Sequence, residues 1–111
     1  MEIREEKLGN TLLFEVKGRL DAATSGDFEK IIFARLEAGE GRLLFDLANL
    51  SYISSAGLRV FLVTAKKLTK HKGIMALCGL QEHVKEVFDI SGFTSILTIY
   101  STRDEAIERI K

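Results

Sequence analysis

The spacing of apolar side chains divides the chain into alternating strands and helices. Residues 2–7 are mostly charged and predict a weak strand at a sheet edge. Gly9-Asn10 separates them from the next run as a two-residue hairpin turn. Leu12, Phe14 and Val16 then alternate with Leu13, Glu15 and Lys17, the period of a half-buried strand, which Gly18 to Asp21 close. Thr24 with Asp27 resembles a capping box for a helix whose stripe is Phe28, Ile31, Ile32, Arg35 and Leu36, and Gly39 and Gly41 stop it. Leu43, Leu44 and Phe45 form a short apolar run, as in a strand covered on both faces. Asp46 to Ile53 read as a turn leading to Ser54 and Ser55. Leu58, Phe61, Leu62, Ala65 and Leu68 follow at helical spacing.

The second half repeats the alternation. Residues 74–78 predict a short strand, and Val84, Val87 and Phe88 a short helix stopped at Ser91-Gly92. Ile96 to Tyr100 predict the last strand, and Thr102 with Glu105 caps a helix carrying Ala106, Ile107 and Ile110. The order is β-β-α-β-α-β-α-β-α. This is the pattern of an α/β fold, with a mostly parallel sheet after an N-terminal hairpin and helical crossovers packed on it.

Composition narrows the function classes. The 111 residues fit one domain, 1–111, and 46% hydrophobic residues suffice for one core. Sixteen basic against sixteen acidic residues give a net charge of +0, without the basic footprint of a nucleic-acid binder. No apolar run nears the roughly 18 residues that span a bilayer, and the charged start MEIREEKLGN has no signal-peptide core. A single cysteine excludes an intrachain disulfide and fits a reducing, cytoplasmic setting. Nothing in the pattern demands more than a monomer.

Enzyme chemistry finds little support. Ser55 lacks a G-x-S-x-G elbow. His71 closes the serine helix, about 24 Å from Ser55 at about 1.5 Å per residue, and His83 reads as a surface residue opening a short helix. Gly39-Glu40-Gly41 is a helix stop, because no third glycine follows and a strand comes next. Cys78 reads as a buried structural thiol. Lys66, Lys67, Lys70 and Lys72 suit a solvated helix end that complements the dipole, with an acidic partner patch as the alternative. Metal-ligand spacing is absent, and no cofactor is expected. What remains is the serine pair at a helix N-terminus. Ser is a favoured cap, and the same place favours an anion. Helix physics alone therefore allows plain caps or a phosphate site. Ala56 and Gly57 are small enough for a partner to approach the backbone.

Three blocks resemble a known family. Residues 46–60, DLANLSYISSAGLRV, resemble the signature of the STAS domain, and in particular that of the anti-sigma factor antagonists. Gly18-Arg19-Leu20-Asp21 and residues 84–93, VKEVFDISGF, resemble two further family segments in the same order and spacing. The resemblance implies a sheet packed against helices with the serine opening the second helix. It implies phosphorylation at Ser55, with Ser54 as second acceptor where relatives commonly have Asp, and Ala56 where they have Ser or Thr. It places Asp21 in a partner-docking surface with Ser54, Ser55, Ala56 and Gly57, and Thr24, Ser91 and Gly92 at the same end. The implied partners are an anti-sigma factor that is also a serine kinase, and a metal-dependent serine phosphatase, so ATP and metal would belong to the partners. The alternatives within the family are an unphosphorylated scaffold or transporter-associated subunit, and a nucleotide-binding module.

Overall fold

The computed structural model describes residues 1–92, 94 and 97–110. Phe93, which ends the third sequence block, and Ile96, the expected start of the last strand, lie outside the described residues. The strands are β1 (Glu2–Leu8), β2 (Thr11–Leu20), β3 (Arg42–Asp46), β4 (Leu50–Ile53), β5 (Ile74–Cys78) and β6 (Thr98–Tyr100). The helices are α1 (Ser25–Glu37), α2 (Ser55–Lys70), α3 (Glu82–Ile90) and α4 (Arg103–Ile110). The sheet runs β1-β2-β3-β5-β6, with β4 paired to β2 off this path. Among the described residues only β1–β2 is antiparallel, joined by the expected Gly9-Asn10 turn, where Gly9 takes φ +61°.

Two expectations about strands are corrected. Residues 46–53 are more than a turn, because Leu50–Ile53 form β4, parallel to the end of β2. The pairing sets Leu50 against Gly18, Tyr52 against Arg19 and Ile53 against Leu20, and shifts register between Gly18 and Arg19. Gly18 has φ +99°, a conformation costly for other residues, so the irregularity falls at the glycine. In addition, the first half of β2 is buried on both faces, since Leu12, Leu13 and Phe14 are all buried, whereas beyond it the expected alternation holds, with Val16 and Leu20 buried and Lys17 and Arg19 exposed.

The cause is a second, smaller core. On one face Phe14, Phe45 and Leu77 pack with Phe28 and Ile32 of α1, Phe61 and Leu68 of α2, and Val84 and Phe88 of α3. Five phenylalanines run through this layer in contact, with ring centroids 5.2–6.1 Å apart from Phe14 through Phe45, Phe28 and Phe61 to Phe88. On the other face Leu13, Leu44, Ala76 and Cys78 meet Ala106 and Ile110 of α4. Arg103 ties α4 to the sheet through Glu15 of β2 and Asp46 of β3. Thr102 caps α4 as expected, accepting from the Glu105 amide at 3.1 Å.

Candidate functional site

Parallel strands deliver their following helices to one edge of the sheet, where α/β sites form. Leu20 ends β2 and Ile53 ends β4, and the two are paired. The Ser54 amide continues that ladder by donating to the Leu20 carbonyl at 2.8 Å. Asp21 and Ser54 therefore leave the sheet side by side, one leading into α1 and the other into α2. The shared edge expected for Asp21 and the serines is the one found.

The two serines differ. Ser54 is the N-cap of α2, extended at φ −93° and ψ 173°, and its Oγ accepts from the Gly57 amide at 3.2 Å. Ser55 is the first helical residue, and its exposed hydroxyl has no hydrogen-bond partner among the described residues. The cap reading therefore applies to Ser54 alone. Ala56 is exposed beside it, whereas Gly57 is buried. A Cβ on Gly57 would stand 3.0 Å from Ile53 Cγ1 and 3.1 Å from both the Cβ and the carbonyl oxygen of Leu20. Its smallness serves close packing of α2 onto β2 and β4, which corrects the expectation that it opens the backbone to a partner.

Asp21 organises the entrance to α1. Its Oδ1 accepts from the amides of Ala23 and Thr24, each at 3.0 Å, and from the Thr24 hydroxyl at 3.1 Å. The Thr24 amide is the main reason its carboxyl is held below the ordinary value; partial desolvation opposes this, and the Thr24 hydroxyl, the Ala23 amide and Arg19 add to it. Thr24 is the N-cap residue of α1 by position, but its side chain does not cap. Its backbone is already helical at φ −100° and ψ −20°, and its hydroxyl lies 2.9 Å from the Arg19 carbonyl and accepts from the Asp21 amide at 3.0 Å. The expected capping box with Asp27 is thus replaced by a turn built on Asp21.

Ser91 and Gly92 do what a helix stop does. Ser91 is the C-cap of α3 and its Oγ donates to the Phe88 carbonyl at 2.8 Å, and Gly92 takes φ +81°. They end the return run from β5 toward its parallel neighbour β6, whereas Asp21 and Ser54 stand directly at strand ends.

Other candidates resolve locally. His71 closes α2, and Nε2 of His83 donates to the Ser51 carbonyl at 2.6 Å, joining α3 to β4. Cys78 is fully buried and its thiol is pushed up to about 12, by burial first and by Asp46 second. Among the described residues no three His, Cys, Asp or Glu side chains form a metal-binding group. No described helix is long and apolar enough to cross a membrane. A cleft of about 240 Å³ among Glu15, Lys17, Asp46 and Arg103, and another of about 550 Å³ between the hairpin turn and α4, include neither serine nor Asp21.

Sequence reasoning passed over Arg19 and Tyr52. They face each other across β2–β4, the Arg19 guanidinium 4.2 Å from the centre of the Tyr52 ring and 3.8 Å from Asp21 Oδ2. Tyr52 is a large side chain left 39% exposed, so this pair extends the surface beside Ser54. The signal for it is a cross-strand pairing, which required β4 to be known.

Comparison with known proteins gives a consistent result. A family model for the STAS domain matches residues 2–106. BtrV of Bordetella bronchiseptica, named provisionally as an anti-sigma factor antagonist, is 40% identical over 111 residues, covering 100% of this chain and 96% of BtrV. An anti-sigma-B factor antagonist of Staphylococcus epidermidis is 29% identical over 101 residues, covering 89% of this chain and 94% of that protein. The anti-sigma factor antagonist SpoIIAA in its unphosphorylated form matches with a TM-score of 0.82 at 23% identity, over 98% of this chain and 96% of that one. The Bacillus SpoIIAA in its phosphorylated form matches at 0.78 and 21% identity, over 99% and 100%. At these identities the structural likeness establishes the fold.

Proposed function

This chain belongs to the STAS domain family, and from that membership we propose that it is an anti-sigma factor antagonist controlled by phosphorylation of Ser55. Unphosphorylated, it binds an anti-sigma factor that is also a serine kinase, and the sigma factor is freed. The kinase then transfers the γ-phosphoryl group of ATP to Ser55 Oγ. An Oγ–P bond forms, ADP leaves, and the hydroxyl proton passes to the kinase. The added charge of about −1.5 to −2 expels the domain from a surface complementary to a neutral hydroxyl. A loss of about 2.7 kcal/mol weakens binding about 100-fold, and an unmatched dianion in an interface can cost that much. A metal-dependent serine phosphatase restores the hydroxyl.

The observation that carries this reading is the contrast between the two serines. Ser54 is occupied in capping α2, and Ser55 is exposed at the same helix start, beside the Asp21 turn, with no partner for its hydroxyl among the described residues. The first turn of α2 contains no acidic residue to oppose a phosphate, and the helix dipole favours an anion there. The names of BtrV and of the staphylococcal relative support the antagonist role.

Intact-mass spectrometry tests the switch after incubation with ATP and the cognate kinase, with Ser55→Ala alongside. One phosphate gained by the parent chain and none by the variant is the expected result. A gain that survives in the variant moves the site, with Ser54 next. No gain from a kinase shown to be active removes the switch.

A further inference from the structure

Arg59 follows Ser55 by four residues on α2 and is exposed. Side chains four apart on a helix are neighbours, with Cβ atoms about 5–6 Å apart. Helical side chains lean toward the N-terminus, so a long one at the later position reaches back over the earlier one. The Arg59 guanidinium has no hydrogen bond, ion pair or ring contact among the described residues. Arg19, Arg35 and Arg103 are, by contrast, committed to Asp21, Glu5, and the Glu15–Asp46 pair. The sequence of α2, SAGLRVFLVTAKKLTK, contains no carboxylate that competes for Arg59. Its position also gains nothing from the helix dipole, which favours cations at the other end.

We propose that Arg59 is the internal clamp for a phosphate on Ser55. The proposal rests on the phosphorylation reading above. Its guanidinium fork closes on two phosphate oxygens, a geometry that lysine does not reproduce. The Ser54 hydroxyl and carbonyl already hold the amides of Gly57 and Leu58, so those of Ser55 and Ala56 are the first-turn donors left for the same anion. The charged groups that the end of β2 brings to this edge, Arg19 and Asp21, already face each other. Phosphorylation thereby changes the docking surface twice. It adds an anion, and it withdraws a free guanidinium from any carboxylate that a partner presents.

Phosphorus NMR on the domain carrying phosphoserine at position 55 tests the clamp, using Arg59→Gln and Arg59→Lys variants. The second phosphate ionisation is expected to rise by about 0.5 unit in Arg59→Gln and by less in Arg59→Lys. The difference is expected to shrink at about 1 M salt. Superimposable titrations of the parent and Arg59→Gln would overturn the clamp. So would a rise in Arg19→Gln without one in Arg59→Gln, which would assign the role to Arg19. Phosphoserine is installed both by the kinase and by genetic encoding, so the two readings fail separately. A kinase that leaves Ser55 untouched sinks the switch, while the encoded phosphoserine still tests the clamp.

Discussion

At the scale of single residues, the edge that carries Ser55 rests on hydrogen bonds made by the side chains of Ser54, Asp21 and Thr24. Ser54 caps α2, so Ser54→Ala is expected to cost about 1 kcal/mol of stability. The Ser55 hydroxyl has no partner among the described residues, so Ser55→Ala is expected to stay within about 0.5 kcal/mol of the parent. Urea denaturation of the two variants separates these values, and equal losses would contradict the division of roles. Asp21 adds a pH dependence whose sign follows from its lowered carboxyl. A depressed folded value means that its contribution is complete above the ordinary 3.8 and is lost as pH falls through the lower folded value. Asp21→Asn is therefore expected to lower stability at neutral pH and to flatten the loss on acidification in that window. An acid limb as steep as that of the parent would show that other carboxylates dominate.

At the scale of elements, the decisive contact is the start of α2 on the β2–β4 pair. Gly57 places the helix so close that a methyl group meets the Leu20 carbonyl, which is backbone and cannot rotate away. Gly57→Ala raises helix propensity by about 1 kcal/mol, yet the clash is expected to prevail and destabilise the domain by about 1–3 kcal/mol. Thermal unfolding decides the sign, and a stabilised variant would mean that α2 can shift outward. The buried face of α2 also differs from the stripe read off its apolar residues. Val60 and Thr64 are buried, whereas Leu62 and Ala65 are only half-buried. Thr64 tolerates burial because its hydroxyl donates to the Val60 carbonyl at 2.7 Å.

At the scale of the molecule, the sheet separates two cores of unequal size. Three helices and the phenylalanine chain lie over one face and α4 over the other. Cys78 belongs to the smaller core and reports on it. With its thiol pushed up to about 12, it stays protonated and enclosed in the native state. Its reaction with a thiol reagent at about pH 8 is expected to track opening of the domain rather than reagent access. Rapid labelling in native buffer would show that α4 lifts from the sheet independently.

The sequence by itself determined the features that depend on local chemistry. These are the hairpin at Gly9-Asn10, the alternation of strands and helices, the burial of Cys78, and a serine pair at a helix start. Periodicity and turn residues act over a few positions, so they can be read without knowing what packs against them. Tertiary structure alone decided the rest. Strand β4 has four residues, too few for a period, and exists through its pairing with β2 across an irregularity at Gly18. Leu13 reads with Glu15 and Lys17 as part of the outward set of an alternating strand until α4 covers the second face. Gly57 reads as an opening for a partner until Leu20 and Ile53 are seen against it. The separate roles of Ser54 and Ser55 depend on one backbone angle, the extended ψ that turns the Ser54 hydroxyl toward the Gly57 amide and leaves its neighbour in solvent.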